Sequence, residues 1–242
     1  MSSVPGYPIR GVRILGYPDE SAFLDELFGP HGVRTGMLAA VNAEKIVAAE
    51  RDPVLRAVLD QADYPYADGI SVVRSIRRKY GVDLDRIAGV DLWQSMMVRA
   101  GREQVKVFLV GAKPRVLQAV REKITDEWEV EVVGSQDGYF GDADRPDLFR
   151  RIRDSEAAIV TIAMGSPRQE IFAAQCREIH PEALYMGVGG TFDVVSGQVR
   201  RAPLMWRRAG LEWLYRIISQ PTRIGRLRRV AAYAGYHFLN RL

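Results

Sequence analysis

The chain of 242 residues is 47% hydrophobic and 26% charged, with 12 prolines and 22 glycines; that is enough to bury one sizeable core and too apolar for a disordered chain. Its single cysteine, Cys176, excludes an internal disulfide and fits a reducing compartment, and no Cys/His cluster exists to hold a structural zinc. The opening MSSVPGYPIRGVRI has neither the charged n-region nor the apolar h-region of a signal peptide, and no run of about 18 apolar residues occurs, so a cytoplasmic protein is expected, free or peripheral on a membrane.

The net charge of +4 is unevenly spread. From Arg200 onward there are ten arginines and one acid, Glu212, a local charge of +9, which leaves −5 on residues 1–199. An acidic body with an arginine-rich end calls for a polyanionic partner, an anionic membrane or a phosphate-rich substrate. This divides the chain into a core over 1–199 and an arginine-rich appendage over 200–242.

Short apolar runs alternate with amphipathic segments. In chain order, a strand is predicted near Val12–Leu15, a helix over Asp19–Phe28, a strand over Gly36–Val41 and a helical pattern over Ser71–Lys79. Then come a helix over Asp91–Ala100, a strand at Val107–Val110, a helix over Val116–Trp128 and a strand at Glu129–Val133. A strand at Ala158–Ala163, a helix over Gln169–Glu178 and a strand at Leu184–Val188 follow. This alternation predicts an α/β fold, Rossmann-like, with a mostly parallel sheet and helices on both faces, plus a basic helical C-terminal appendage.

In such a sheet ligands bind beyond the carboxyl ends of the strands. Those ends are rich in glycine: Gly111 after the third strand, Gly134 and Gly138 after the fourth, Gly165 after the fifth, and Gly187, Gly189 and Gly190 after the sixth. Glycine admits a close ligand, and the helix N-termini that follow favour anions, so Gly111 and Gly189 are candidate contacts for a nucleotide or sugar phosphate. The Gly187–Gly190 loop is neither a full dinucleotide fingerprint nor a Walker A loop, and taken alone it reads sooner as a tight turn after a buried strand.

Asp68 precedes a helical pattern and reads either as its N-cap or as a general base for a hydroxyl. Asp193 reads as a hydrogen-bond acceptor for a base or ribose, or as a cap. The pairs Asp83/Asp85 and Asp142/Asp144 have the Asp-x-Asp spacing of metal-dependent sugar transferases, but both lie in polar connecting stretches, and no metal site is expected. His31 and His180 read as loop residues without a triad partner, and no nucleophile elbow occurs, which disfavours hydrolase chemistry. In the appendage, Trp206, Leu211, Trp213, Leu214, Tyr215, Ile217 and Ile218 recur among arginines, and the apolar run Val230–Leu239 follows. Interfacial membrane contact, a core-facing helical stripe and nucleic-acid binding all fit that pattern.

Several stretches together carry a family resemblance: Asn42, Ala67-Asp68-Gly69, Arg86 to Leu92, Phe108 to Gly111, Gly138-Tyr139-Phe140, Gly165 to Glu170, Gly187 to Asp193, Arg201-Ala202-Pro203 and Gly210 to Arg216. With these the chain resembles the bacterial glycosyltransferases that include the teichoic-acid linkage-unit N-acetylmannosaminyltransferase. Within them, VGSQDGYF, AMGSPRQEIF and LYMGVGGTFD are most similar to the N-acetylmannosaminuronosyltransferases of enterobacterial common antigen synthesis. Ala40, where the teichoic-acid branch usually has threonine, suits that uronate branch.

The resemblance implies an inverting hexosyltransferase on the cytoplasmic face of the inner membrane, with UDP-ManNAcA as donor and undecaprenyl-diphosphate-GlcNAc as acceptor. It implies Asp68 as general base, Asn42, Arg86 and Gln169 around sugar and diphosphate, and Tyr139 and Asp193 on uridine. Arg216, Arg223 and Arg226 would close over the site and meet diphosphates. No cofactor is implied, since helix N-termini and arginines can stabilise the leaving UDP without metal. Lys45, Arg74 and Arg168 are positioned as candidates for the uronate carboxylate. UDP-ManNAc or UDP-glucose as donor, or a non-enzymatic nucleotide- or RNA-binding module, are the alternatives. No nucleic-acid partner is expected, and a homodimer through the apolar appendage is left open.

Overall fold

In the computed structural model the described residues are 4–219, 225, 227–239 and 241–242, with the side chain of Arg216 outside the description. A two-stranded hairpin, β1 (Phe28–Gly29) and β2 (Gly32–Val33), precedes the main sheet. That sheet holds β3 (Gly36–Val41), β4 (Tyr64–Ala67), β5 (Lys106–Gly111), β6 (Glu131–Gln136), β7 (Ile159–Ala163) and β8 (Leu184–Gly187). Its order is β4-β3-β8-β7-β5-β6, and every pairing is parallel.

Five of these strands coincide with predicted ones. The sixth, β4, is only four residues long and contains Pro65 in place of a β-branched run, which hid it. The predicted strand at Val12–Leu15 is a correction: those residues make isolated bridges only. Leu15 N–H donates to the Pro65 carbonyl at 2.7 Å, but proline has no N–H to supply the preceding bond of a parallel ladder, to residue 13, so no ladder grows on that edge.

The sheet is covered on both faces. On one side lie α1 (Glu20–Leu27), α5 (Gly89–Arg102), α6 (Pro114–Trp128) and the short α9 (Thr191–Val195). On the other lie α2 (Ala43–Ala49), α3 (Pro53–Asp60), α4 (Ile70–Tyr80), α7 (Arg145–Asp154), α8 (Arg168–Ile179) and α12 (Leu227–Phe238). Side chains of one strand alternate between the two cores, as period-two geometry demands: Val107 and Leu109 of β5 face the first, Phe108 and Val110 the second. In the first core Trp93 lies tilted against Phe192 and edge-on to Trp128, with ring centroids 5.5 and 6.2 Å away.

Residues 200–219 carry α10 (Leu204–Arg208) and α11 (Glu212–Ser219). Helix α12 then docks back on the body, parallel to α2: Arg229 near its start pairs with Glu44 at 3.4 Å, and Tyr236 near its end donates to Glu50 at 2.9 Å. Tyr233 is fully buried and donates to Ser75 Oγ at 2.9 Å, and Ser75 Oγ also lies 3.0 Å from His237 Nδ1. Part of the apolar run Val230–Leu239 is therefore core, while Phe238 and Leu239 stay exposed. Among the described residues no helix is long and apolar enough to cross a membrane.

Candidate functional site

Loops after β3 and β8, neighbours in the sheet, lead to helices on opposite faces, α2 and α9. Such a divergence opens a crevice at the carboxyl edge of a parallel sheet. Around it, α4 and α8 begin without a side-chain cap, leaving first-turn N–H groups that suit an anion.

At one end of the crevice Asn42 and Asp68 sit side by side. Asp68 N–H and Gly69 N–H both donate to the Val41 carbonyl, at 3.0 and 3.3 Å, so the ends of β3 and β4 are bound together. Asn42 caps α2, its Oδ1 accepting from Lys45 N–H at 3.0 Å. Asp68 does not cap the helix that follows it. The N-cap of α4 is Gly69, whereas Asp68 Oδ1 accepts from the N–H of Gly89, the first residue of α5, at 3.0 Å. The reading of Asp68 as the cap of that helix is thereby corrected, and its carboxylate keeps one oxygen available: Oδ1 is held, and Oδ2 has no partner among the described residues.

Arg86 completes this corner. Its Nε donates to the Asp68 carbonyl at 2.6 Å, one terminal nitrogen donates to Glu212 Oε2 at 3.0 Å, and that nitrogen is 4.0 Å from Asp68 Oδ1. Glu212, almost fully buried, is also 3.9 Å from Arg201, which makes a bidentate bridge to Asp91 in the first turn of α5. Burial raises the Asp91 carboxyl, and the hydrogen bonds and charge of Arg201 outweigh that, holding it below the usual range. Burial, with the Asp68 charge added, drives the fully buried Tyr66 phenol well above its ordinary value, so it stays protonated.

The middle of the crevice is built on a buried ion pair. Lys45 Nζ meets Glu170 Oε1 at 2.9 Å with both side chains under one-tenth exposed. Burial raises the Glu170 carboxyl, but the Lys45 charge and hydrogen bonds from Lys45 and Gln169 hold it below its ordinary value. Gln169 Nε2 donates to the same oxygen at 2.9 Å, while its Oε1 accepts from Gly189 N–H at 3.0 Å. One amide thus ties the start of α8 to the glycine loop after β8. Gly187 is needed there because a Cβ would lie 2.5 Å from Gln169 Nε2. Asp193, half-buried in α9, has no side-chain partner among the described residues.

The remaining candidates lie at the far side. Gly111 ends β5 at φ +103, where a Cβ would be 2.4 Å from the Ala163 carbonyl, so its glycine is explained by the close approach of β5 and β7. Tyr139 is 71% exposed in the loop after β6, beside a cleft of about 460 Å³ lined by Gln136, Phe140, Asp144, Asp147 and Arg151. Strands β4 and β6 are opposite edges of the sheet, five strand spacings or about 24 Å apart. Asp68, Asn42 and Arg86 thus form one cluster and Gln169 and Gly189 an adjoining one, with Tyr139 at the sheet edge opposite the first.

Arg216 belongs to α11 without a described side chain, and Arg223 and Arg226 lie outside the described residues. Of the three candidates for an acidic sugar, Lys45 is committed to Glu170, and Arg74 is exposed on α4. Arg168 is exposed in the first turn of α8, on the crevice edge. In the Asp-x-Asp pairs, Asp83 and Asp142 pair with Arg77 and Arg145, and Asp144 accepts from Gly141 N–H. His180 is a buried helix C-cap bonded to the Ala157 carbonyl rather than a loop residue.

Sequence reasoning did not single out Glu212, Glu170 or Gly89. For Glu212 a signal existed, since it is the one acid among ten arginines. The sequence model of the Glycosyl transferase WecG/TagA/CpsF family matches residues 11–241, a span that contains all of these positions. The chain belongs to this family of glycosyltransferases.

Proposed function

We propose that the enzyme transfers ManNAcA from UDP-ManNAcA to the 4-hydroxyl of GlcNAc on undecaprenyl diphosphate, with inversion. The observation that carries the reading is Asp68: a carboxylate at the sheet edge with Oδ1 fixed by Gly89 N–H and Oδ2 open to a hydroxyl proton. The acceptor oxygen attacks the anomeric carbon, its proton passes to Asp68, and the bond from that carbon to the UDP oxygen breaks. Donor sugar and diphosphate lie along the crevice past Asn42 and Gln169, with the uridine toward Asp193 and Tyr139. Helix N-termini of α4 and α8 take part of the charge of the departing UDP, and Arg216, Arg223 and Arg226 take the rest. No metal is required by this scheme. Arg168 is the cation assigned to the uronate.

The same reading puts the protein on the cytoplasmic face of the membrane. Leu204, Met205, Leu211, Trp213 and Ile218 are exposed on α10, α11 and the turn between them, near exposed Arg200 and Arg208. Apolar and basic side chains together fit an anionic lipid interface, where the acceptor resides.

The test is product formation from a GlcNAc-diphosphate-lipid acceptor with UDP-ManNAcA, UDP-ManNAc or UDP-glucose, with EDTA in parallel, read by mass spectrometry. Product from the uronate donor alone, in EDTA, is expected. Product from another donor alone reassigns the substrate, and product only with added metal removes the metal-free scheme.

A further inference from the structure

Arg86 raises a chemical problem for the base that Asp68 is read to be. A guanidinium about 4 Å from a carboxylate stabilises its anion and weakens its grip on a proton, which handicaps a general base. Here the nitrogen that lies 4.0 Å from Asp68 Oδ1 is the one hydrogen-bonded, at 3.0 Å, to Glu212. We propose that Glu212 is a positioning residue for the transfer, occupying the charge of Arg86 so that Asp68 keeps its basicity, and doing so only while α11 is seated. The proposal rests on the reading of Asp68 as the base.

The geometry supports both halves. Arg86 Nε holds the Asp68 carbonyl at 2.6 Å, so one guanidinium links the backbone of the base to a buried carboxylate on a distant segment. Asp68, Arg86, Glu212, Arg201 and Asp91 alternate in sign, at 4.0, 3.0, 3.9 and 2.6 Å. Among the described residues, the groups bearing on Asp68 and its neighbours are Arg86 from the segment before α5, Tyr66 of β4, Glu20 of α1, Asp91 of α5, and Arg201 and Arg207 from the chain leading into and through α10. Glu212 is the acid that faces Arg86 from the appendage. Seating is local: a Cβ at Gly210, two residues before Glu212, would be 3.0 Å from Ile70 Cγ2 in the first turn of α4, which starts two residues after Asp68. Lifting α11 removes the counter-charge from Arg86 and leaves its guanidinium to Asp68. Base strength is thereby coupled to docking of the helix that carries the exposed apolar residues.

The experiment is the pH profile of kcat, over about pH 5 to 9, for the full-length enzyme and for Glu212→Gln and Arg201→Gln, with UDP affinity and melting temperature measured in parallel. In Glu212→Gln the acid limb is expected to move down by about one pH unit and the plateau to fall about tenfold, with UDP affinity within about twofold. In Arg201→Gln the limb is expected to move up, because one cation is lost from the alternating series and the carboxylates of Glu212 and Asp91 are less compensated. Opposite shifts are not produced by loosened packing. A plateau loss with the limb unmoved in both variants, or wild-type profiles in both, overturns the proposal. Asp68→Asn separates the two levels: full activity there removes the base reading itself, whereas an inactive Asp68→Asn beside unshifted limbs removes only the role of Glu212.

Discussion

Asp68 Oδ1 accepts the N–H of Gly89 at 3.0 Å, so the carboxylate just after β4 caps the first N–H of α5, a helix that starts 21 residues later. The positive end of a 14-residue helix and one backbone donor hold the side chain in place, while its second oxygen has no partner among the described residues. This makes Asp68→Asn an informative substitution. Asparagine accepts the same hydrogen bond and caps as well as aspartate, so the fold and UDP affinity are expected to persist. Turnover is expected to fall about 10²- to 10⁴-fold. A kcat within a few-fold of wild type would remove Asp68 from the proton transfer.

The Lys45–Glu170 pair is expected to be a large stability element. Glu170→Gln leaves a buried ammonium without a counter-charge and is expected to cost about 3–5 kcal/mol, roughly 10 °C in melting temperature for a chain of this size. Because the folded carboxyl is held below its ordinary value of 4.5, its contribution is full above that pH and is lost as pH falls through the folded value. The deficit of Glu170→Gln relative to wild type should therefore shrink in strongly acidic buffer. Replacing both partners by Met and Leu should recover most of the loss at neutral pH, and melting curves of the three proteins check this.

Docking of α12 should weaken in mild acid. Burial, with Arg78 and Arg74 opposing the charge, lowers the pKa of His237 below 6.5, so its neutral form belongs to the folded state. Its contribution is present above about pH 6.5 and lost as pH falls toward the folded value. Amide exchange in Leu227–Phe238 is expected to quicken between about pH 7.5 and 5.5, after correction for intrinsic rates, and His237→Gln should flatten that dependence. Equal acid sensitivity in the variant would assign the effect to another group.

Vesicle binding should depend on α10 and α11. Met205 is 77% exposed, so Met205→Asp disturbs no core while placing charge in the proposed interface. Co-sedimentation with anionic vesicles is expected to weaken about tenfold or more, on the scale of burying one large apolar side chain. Raised salt should weaken the wild-type protein as well. Unchanged binding by Met205→Asp would place the membrane contact elsewhere.

Much of this molecule is legible residue by residue. The five regular strands, the helices around Asp91, Val116 and Gln169, and the glycine-rich strand ends follow from periodicity and turn chemistry, which act over a few neighbours. The charge reversal at Arg200 and the motifs around Asp68, Arg86 and Gln169 are likewise local. What escaped is what depends on partners far along the chain. Strand β4 owes its existence to Ala39 and its neighbours in β3, and Val12–Leu15 fails as a strand because Pro65 faces it. The cap on α5 comes from Asp68, the charge on Arg86 is met by Glu212 126 residues away, and the cation beside Glu170 lies 125 residues earlier. Sequence alone thus determined the family, the layered α/β plan and the residue types at the sheet edge. Tertiary structure decided which oxygen of Asp68 lacks a partner among the described residues, which cations are already paired and where α11 and α12 dock. Hydrogen bonds and ion pairs form across space, and no periodicity along the chain records their partners.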